Sequence, residues 1–285
     1  MNTRHDPVDD ILVAHGLNGP WETLPQTGLA NRIYATKDVV LRIAKDHDEA
    51  LRDARTESLA APIAFDAGVL TPQLLAFDDS GDLIDGPYSI WERIHGETLG
   101  LLTRQSDAMA NTWRQVGSQM AHLHSSVQPF DDPEKRLHTP ARELDLDRLL
   151  EGLAQTGFAS SSHIDDIAEL IAELRPAVLA DFSVSFLHAD VKDMNIMCTS
   201  DDELLALIDW GDSGWGDPAF DFFRIPLPVI PIVLEGYRDV APSLLDATSA
   251  ERMIWDKLEQ AMSRAIETPA YHVPIDAFRR YLGTR

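Results

Sequence analysis

The sequence predicts an α+β fold in which a small antiparallel sheet precedes a mainly helical region. Five strand-like stretches crowd into the first 95 residues. The longest stretches with helical periodicity come after them. At 285 residues the chain is long enough to build two lobes around one cleft, each with a sizeable core.

Residues 6–16 open the chain as a short helix, with Pro7, Asp9 and Asp10 suited to its first turn and Gly16 to its end. Residues 21–25, 31–35 and 39–44 read as strands, and 49–67 as a helix. Two further strands, 69–77 and 87–94, flank a turn at 78–82. The helical region begins near Gly96. Met109, Trp113, Val116, Met120 and Leu123 recur at spacings of three and four, which predicts a helix over 108–127. His122 and His124 end it; two apart on a helix, they point to different faces and make a poor metal pair. A proline-bearing loop over 128–142 leads to amphipathic helices over 143–155 and 163–179. Residues 196–198 and 204–208 form a hairpin around the turn 200–203. An apolar, proline-rich stretch follows Asp221, then helices within 242–259 and 274–281.

The chemistry concentrates between Phe186 and Phe222. His188-x-Asp190-x-x-x-x-Asn195 has the spacing of a kinase catalytic loop, in which the Asp accepts a proton from a substrate hydroxyl and the Asn holds Mg²⁺. Fourteen residues after Asn195, Asp209 follows the apolar run 204–208, where a kinase places its second metal-binding carboxylate. One carboxylate and one amide oxygen suffice for Mg²⁺, which keeps several waters and takes phosphate oxygens as further ligands.

The residues 187–196, Ile208-Asp-Trp-Gly-Asp212, and Gly216-Asp-Pro218 with Asp221 resemble the aminoglycoside phosphotransferase family, small-molecule kinases with the protein-kinase fold. A looser match extends over roughly 24–237. Ala189 departs from the family's frequent Gly. Val191-Lys192-Asp193 stands for its frequent Leu-His-Pro, and Lys192 resembles the lysine of Ser/Thr protein kinases that meets the γ-phosphate.

The resemblance implies a bilobal, protein-kinase-like architecture, with an N-lobe over 1–95 and a C-lobe over 96–285. It implies Mg²⁺-dependent transfer of the γ-phosphoryl group of ATP or GTP to a hydroxyl. Asp190 is then the catalytic residue, and Asn195 and Asp209 hold the metal. Arg42 grips the phosphates, with Lys45 at the strand end as the alternative. Glu57 pairs with Arg42, or is a surface charge beside Asp53 and Arg55. The loop 27–31, with Gly28 and Asn31, covers the phosphates or is an ordinary hairpin turn. Glu92, Arg93 and Ile94 form the strand end that reads the purine through its backbone, which leaves ATP and GTP undistinguished. His188 braces the catalytic loop, and Asp217 and Asp221 fix the segment after the metal ligand. Asp145 and Asp147 either grip a cationic substrate or are solvated helix-face carboxylates.

A net charge of −23 argues against a nucleic-acid partner and would attract a cation, though general solubility explains it equally well. The charge is spread almost evenly along the chain and marks no substrate patch. The single cysteine, Cys198, forbids an internal disulfide and suits a reducing, cytoplasmic setting. The first residues carry no apolar signal core and no run approaches membrane-spanning length. Monomer and dimer both stay open. The expected acceptor is an aminoglycoside-type or other cationic antibiotic. A metabolic kinase for an amino alcohol or sugar is the rival, and a nucleotide-binding pseudokinase is a third reading, opposed by the intact Asp190, Asn195 and Asp209.

Overall fold

Alternation in the strand Val39–Ala44 buries Val39, Leu41 and Ile43 on one face and turns Val40 and Arg42 to the other. In the computed structural model, which describes residues 7–17, 19–24, 30–102 and 108–283, this strand is the centre of a five-stranded antiparallel sheet. Its members are β1 (Glu22–Thr23), β2 (Asn31–Ala35), β3 (Val39–Ala44), β4 (Leu74–Asp78) and β5 (Tyr88–Glu92), in the order β1-β2-β3-β5-β4. Helix α1 (Pro7–Ala14) lays Val8, Ile11 and Leu12 on Leu41, Ile43, Tyr88 and Ile90. Helix α2 (Asp48–Asp66) sends its small residues Ala60, Ala61 and Ala64 toward the larger lobe.

Strand β4 starts later than the apolar run 69–77 suggests. The N–H of Leu70 donates to the Gln119 side chain, and its carbonyl accepts from the N–H of Leu207. Those bonds tie Leu70 to the C-lobe, so the run touches both lobes before it enters the sheet.

The C-lobe is helical: α3 (Leu99–Leu102), α4 (Ala110–Ser126), α5 (Leu146–Thr156), α6 (Ser161–Val178), α7 (Ile230–Val240), α8 (Ser249–Glu267) and α9 (Ile275–Gly283). One core centres on α4 and α7 and the strands beneath them, a second on α5, α6, α8 and α9. Helices α4 and α7 touch backbone to backbone. A Cβ on Gly117 would lie 1.9 Å from the Val233 carbonyl oxygen, and one on Gly236 1.8 Å from that of Arg114. Only glycine permits that approach.

Two small sheets present the motif residues. Strand β7 (Ser185–Leu187) pairs with β10 (Gly214–Gly216), and β6 (Glu97–Thr98), β8 (Ile196–Cys198) and β9 (Leu204–Leu207) form the other sheet. The β8–β9 hairpin follows the sequence reading, while β6 joins it from far along the chain. Asp202 in its turn accepts the N–H groups of Asn111 and Thr112 at 2.9 and 2.8 Å. It thereby supplies α4 with the N-terminal carboxylate that the helix's own start lacks. Cys198 is buried, and burial pushes its thiol up. Among the described residues no helix is long and apolar enough to cross a membrane.

Candidate active site

The catalytic loop leaves the buried end of β7 and is anchored from below by a carboxylate. Asp221 accepts the backbone N–H groups of His188 at 3.0 Å and Ala189 at 2.5 Å. Ala189 reaches this position with φ at 65°, in the left-handed region. Nε2 of His124 lies 2.9 Å from Asp221, and its Nδ1 lies 2.9 Å from the Tyr237 hydroxyl. All of these groups are buried, as a buried carboxylate without such partners would be costly. Asp221 thus holds the catalytic loop itself, and not the segment after the metal ligand as the sequence suggested. Asp217 does serve that segment: it caps the short 3₁₀ turn Pro218–Phe222 and takes Arg142 at 2.8 Å and Arg252 at 2.7 Å.

His188 crosses the loop. Its Nε2 reaches the Ile208 carbonyl at 3.1 Å, and its Nδ1 accepts the N–H of Asp190 at 3.3 Å. Those two bonds assign the proton to Nε2. The ring lies on Trp210, centroids 4.4 Å apart.

The two carboxylate oxygens of Asp190 differ. Oδ2 accepts Lys192 Nζ at 2.5 Å and Asn195 Nδ2 at 2.8 Å. Oδ1 is buried and accepts no hydrogen bond. Arg224 Nε lies 2.8 Å from it as an ion pair, without hydrogen-bond alignment. Lys192 therefore meets Asp190 directly, a contact the sequence reading did not include.

Asn195 spends its amide N–H groups on Asp190, on the carbonyl at 2.9 Å as well as on Oδ2, which leaves its own Oδ1 as an acceptor. The N–H of Ile208 donates to the Asn195 carbonyl at 3.0 Å, so Asn195 and Asp209 stand on paired strand ends. Asp209, at φ 70°, accepts Arg42 Nη2 at 3.2 Å, and Arg42 Nη1 donates to Glu57 at 2.5 Å. Arg42 is thus the strand cation that meets Glu57 on α2. Burial acts against its charge, and Glu57 and Asp209 together outweigh that and raise its pKa. Burial likewise acts to raise Asp209, but Arg42 beside it holds the carboxyl below its ordinary range. An ionised carboxylate and an amide oxygen on adjacent strand ends are a hard-oxygen pair that fits Mg²⁺. No group of three or more His, Cys, Asp or Glu suited to a metal occurs among the described residues. A site of this kind takes its remaining oxygens from phosphate and water.

Gly211 packs directly on α2: a Cβ there would lie 2.9 Å from the Asp53 Cβ. The Asp53 carboxyl is pushed up to about 6, first by burial and then by Asp212.

At the purine-reading strand end the structure narrows the choice of backbone groups to carbonyls and the N–H of Ile94. The N–H of Glu92 donates to the Gln73 carbonyl and that of Arg93 to the Asp38 carbonyl, both at 2.9 Å, so neither N–H is left for a base. The Arg93 side chain pins strands, reaching the Thr36 carbonyl at 2.5 Å and Glu22 at 3.0 Å. The N–H of Ile94 makes no such bond among the described residues. Asn31 is buried at the head of β2, opposite Ala44, while Gly28 lies outside the described residues. Asp145 caps α5 by accepting the N–H of Arg148, and Asp147 pairs with Arg175 at 2.7 Å. Both are occupied on the protein's own account.

Sequence reasoning missed Arg224 and the Asp221–His124–Tyr237 chain. Arg224 left one signal, as the lone charge in the apolar stretch after Asp221.

Comparison with known proteins bears on the family and the fold. A family model described as phosphotransferase enzyme family matches residues 23–259. The structure is similar to the GDP complex of wild-type aminoglycoside 2'-phosphotransferase-IIIa, at 15% identity, TM-score 0.64, and coverage of 97% of this chain and 95% of that one. It is similar to the gentamicin-APH(2")-IIa complex, at 15% identity, TM-score 0.62, and coverage of 99% and 96%. A choline/ethanolamine kinase family protein from Mesorhizobium loti aligns at 20% identity, TM-score 0.58, and coverage of 98% and 92%. No curated protein matches the sequence. The structural likenesses establish the bilobal kinase-like fold, and the match over residues 23–259 establishes the lineage: the chain belongs to the phosphotransferase enzyme family.

Proposed function

We propose that this phosphotransferase moves the γ-phosphoryl group of ATP or GTP, in the presence of Mg²⁺, to a hydroxyl of a small molecule, in a cleft between lobes spanning 1–95 and 96–285. The observation that carries the reading is the asymmetry of Asp190. One oxygen is saturated by Lys192 and Asn195, and the other is buried without a hydrogen bond. Arg224 Nε at 2.8 Å offsets the charge of that oxygen, and an aligned hydrogen-bond donor is left for a ligand to supply.

Asp190 Oδ1 receives the acceptor hydroxyl's proton or orients that hydroxyl. Arg42, held by Glu57, and Lys192 face the phosphates; Ile94 offers its N–H to the purine. Asn195 Oδ1 and the Asp209 carboxylate would hold Mg²⁺, which when bound offsets charge on the phosphate oxygens. The rest of the protein's contribution is positioning and fixed charge. The lone cysteine supports a cytoplasmic setting.

Two acceptor readings stand. The acidity of the chain and its likeness to a gentamicin-bound structure support a cationic antibiotic. The two cations on Asp190, Lys192 and Arg224, weigh against a polycation, which would have to approach them, and so support the rival, a metabolic amino alcohol or sugar that carries at most one positive charge.

The test is purified protein with Mg²⁺ and ATP or GTP against aminoglycosides, macrolides, amino alcohols, sugars and hydroxy acids, read by mass spectrometry of the phosphorylated product. Asp190→Asn should lower the rate by ~10²- to 10⁴-fold with nucleotide affinity nearly unchanged. Nucleotide binding without turnover of any hydroxyl compound would leave only the pseudokinase reading.

A further inference from the structure

We infer that Arg224 selects the acceptor: its guanidinium docks a carboxylate or phosphate that the acceptor carries close to the reacting hydroxyl, and that docking uncovers Asp190. The inference rests on the phosphotransferase reading above and replaces both of its acceptor readings with an anion-bearing hydroxyl compound.

Arg224 is built to hold its place. It follows the 3₁₀ turn Pro218–Phe222, and its neighbours Phe223 and Ile225 both give their carbonyls to Lys257 Nζ, the first at 2.9 Å. Its guanidinium lies over the Phe223 ring at 5.0 Å, and that ring stacks on Phe220 at 4.7 Å. The backbone and the base of the side chain are therefore fixed while the charged end stays accessible.

That end sits where chemistry would occur. The Arg224 side chain is 41% exposed, and the Asp190 side chain that it meets is 5% exposed. Asp190 Oδ1 is the one carboxylate oxygen still free to accept a hydrogen bond, and Arg224 Nε is 2.8 Å away. An acceptor hydroxyl that bonds Oδ1 must therefore arrive beside this guanidinium. Asp212 is exposed and near enough for the charges of Asp190 and Arg224 to act on its carboxyl, but no ion pair joins it to Arg224 among the described residues. A guanidinium offers five N–H donors in a planar fork that matches a carboxylate or phosphate. Nε is the guanidinium nitrogen nearest Asp190, and the 41% exposure of the side chain leaves donors within reach of an incoming group.

The consequence is selection by charge. An acceptor with an anion near its hydroxyl gives Arg224 a second partner and draws it off Asp190. A neutral acceptor leaves Arg224 on the carboxylate, and a polycation is repelled.

The experiment needs no knowledge of the natural acceptor, because water can take its place. In that reaction the water oxygen bonds to the γ-phosphorus and the bond from that phosphorus to the β–γ bridging oxygen breaks. The water proton passes to Asp190 Oδ1 and then to solvent, giving nucleoside diphosphate and inorganic phosphate. With Mg²⁺-ATP at constant ionic strength, malonate should raise the slow basal hydrolysis of the unaltered protein several-fold, and ethanolamine and kanamycin should not. Arg224→Ala should begin several-fold higher and ignore malonate, since Asp190 Oδ1 then stands uncovered without any anion to draw the guanidinium away. Equal basal rates in the two proteins, zero included, would overturn the inference, as would a malonate response that survives in Arg224→Ala. Calorimetry with the nucleotide separates the two levels. Failure to bind ATP or GTP sinks the kinase reading, and binding without the anion response sinks only the role of Arg224. Unchanged thermal melting of Arg224→Ala shows that the fold is intact.

Discussion

The backbone N–H of Ala189 donates to the Asp221 carboxylate at 2.5 Å, and it does so from a left-handed conformation that alanine pays to adopt. The strain is roughly 1–2 kcal/mol for a residue with a Cβ, set against a charge-assisted bond of comparable size. Ala189→Gly should relieve it. Glycine gives back ~0.5–1 kcal/mol through unfolded-state entropy, so the net change should lie between neutral and a gain of about 1 kcal/mol. Urea unfolding would check this; a clear loss of stability would show that the alanine methyl is needed.

Asp221 also sets an acid limit. Burial acts to raise its carboxyl, but the hydrogen bond and charge of His124, with help from His188, hold it below its usual value of 3.8. As pH falls through that value the unfolded chain takes up the proton first, so stability drops with falling pH and is complete above it. Asp221→Asn cannot titrate. It should lose about 3 kcal/mol at neutral pH, as expected when a buried charged network is broken, and its melting temperature should fall less steeply between pH 5 and pH 3. Equally steep acid limbs in the two proteins would exclude the assignment.

Asp209→Asn keeps size and removes charge next to Arg42. The fold should survive, because Arg42 retains Glu57. Saturating Mg²⁺-ATP at about 100 times its dissociation constant should stabilise the unaltered protein by ~2.7 kcal/mol. In the variant that stabilisation and turnover should both disappear. Undiminished stabilisation would remove Asp209 from the metal site.

Gly211→Ala tests the link between the metal-bearing loop and α2. The new methyl would press on Asp53, one turn before Glu57, and move the helix that carries Glu57 away from Arg42. Overpacking of this kind costs ~1–3 kcal/mol, which should appear as roughly ten- to a hundredfold weaker nucleotide binding by calorimetry. Binding as tight as in the unaltered protein would mean that α2 yields freely.

The parts of the site that lie close in sequence were readable before any coordinates. His188, Asp190 and Asn195 fall within one loop, and Asp209 ends the hairpin that begins at Ile196. Alternation along β3 put Arg42 on the face of Val40, with Lys45 still open, and its pairing with Glu57 came from the family resemblance. Arg224 and Asp190, by contrast, meet only because two chain segments pack together. His124 and Asp221 are 97 residues apart, and no local pattern announces that a histidine ending α4 supports a loop in another part of the lobe. The strand end was legible only in part for a related reason: whether the N–H groups of Glu92 and Arg93 remain free depends on what Gln73 and Asp38 do with their carbonyls.

The glycine seam between α4 and α7 works as a fixed ruler for the chemistry. His124 sits two turns beyond Gly117 on one helix, and Tyr237 directly follows Gly236 on the other. The distance at which the two backbones meet therefore sets whether imidazole and phenol can touch, and through them how tightly Asp221 is held. A single methyl at Gly236, on neither wall of the cleft, would part that pair and slacken the carboxylate beneath Ala189. Such damage would pass for a catalytic defect in an assay: slow transfer, ordinary nucleotide affinity, and nothing altered in the motif itself.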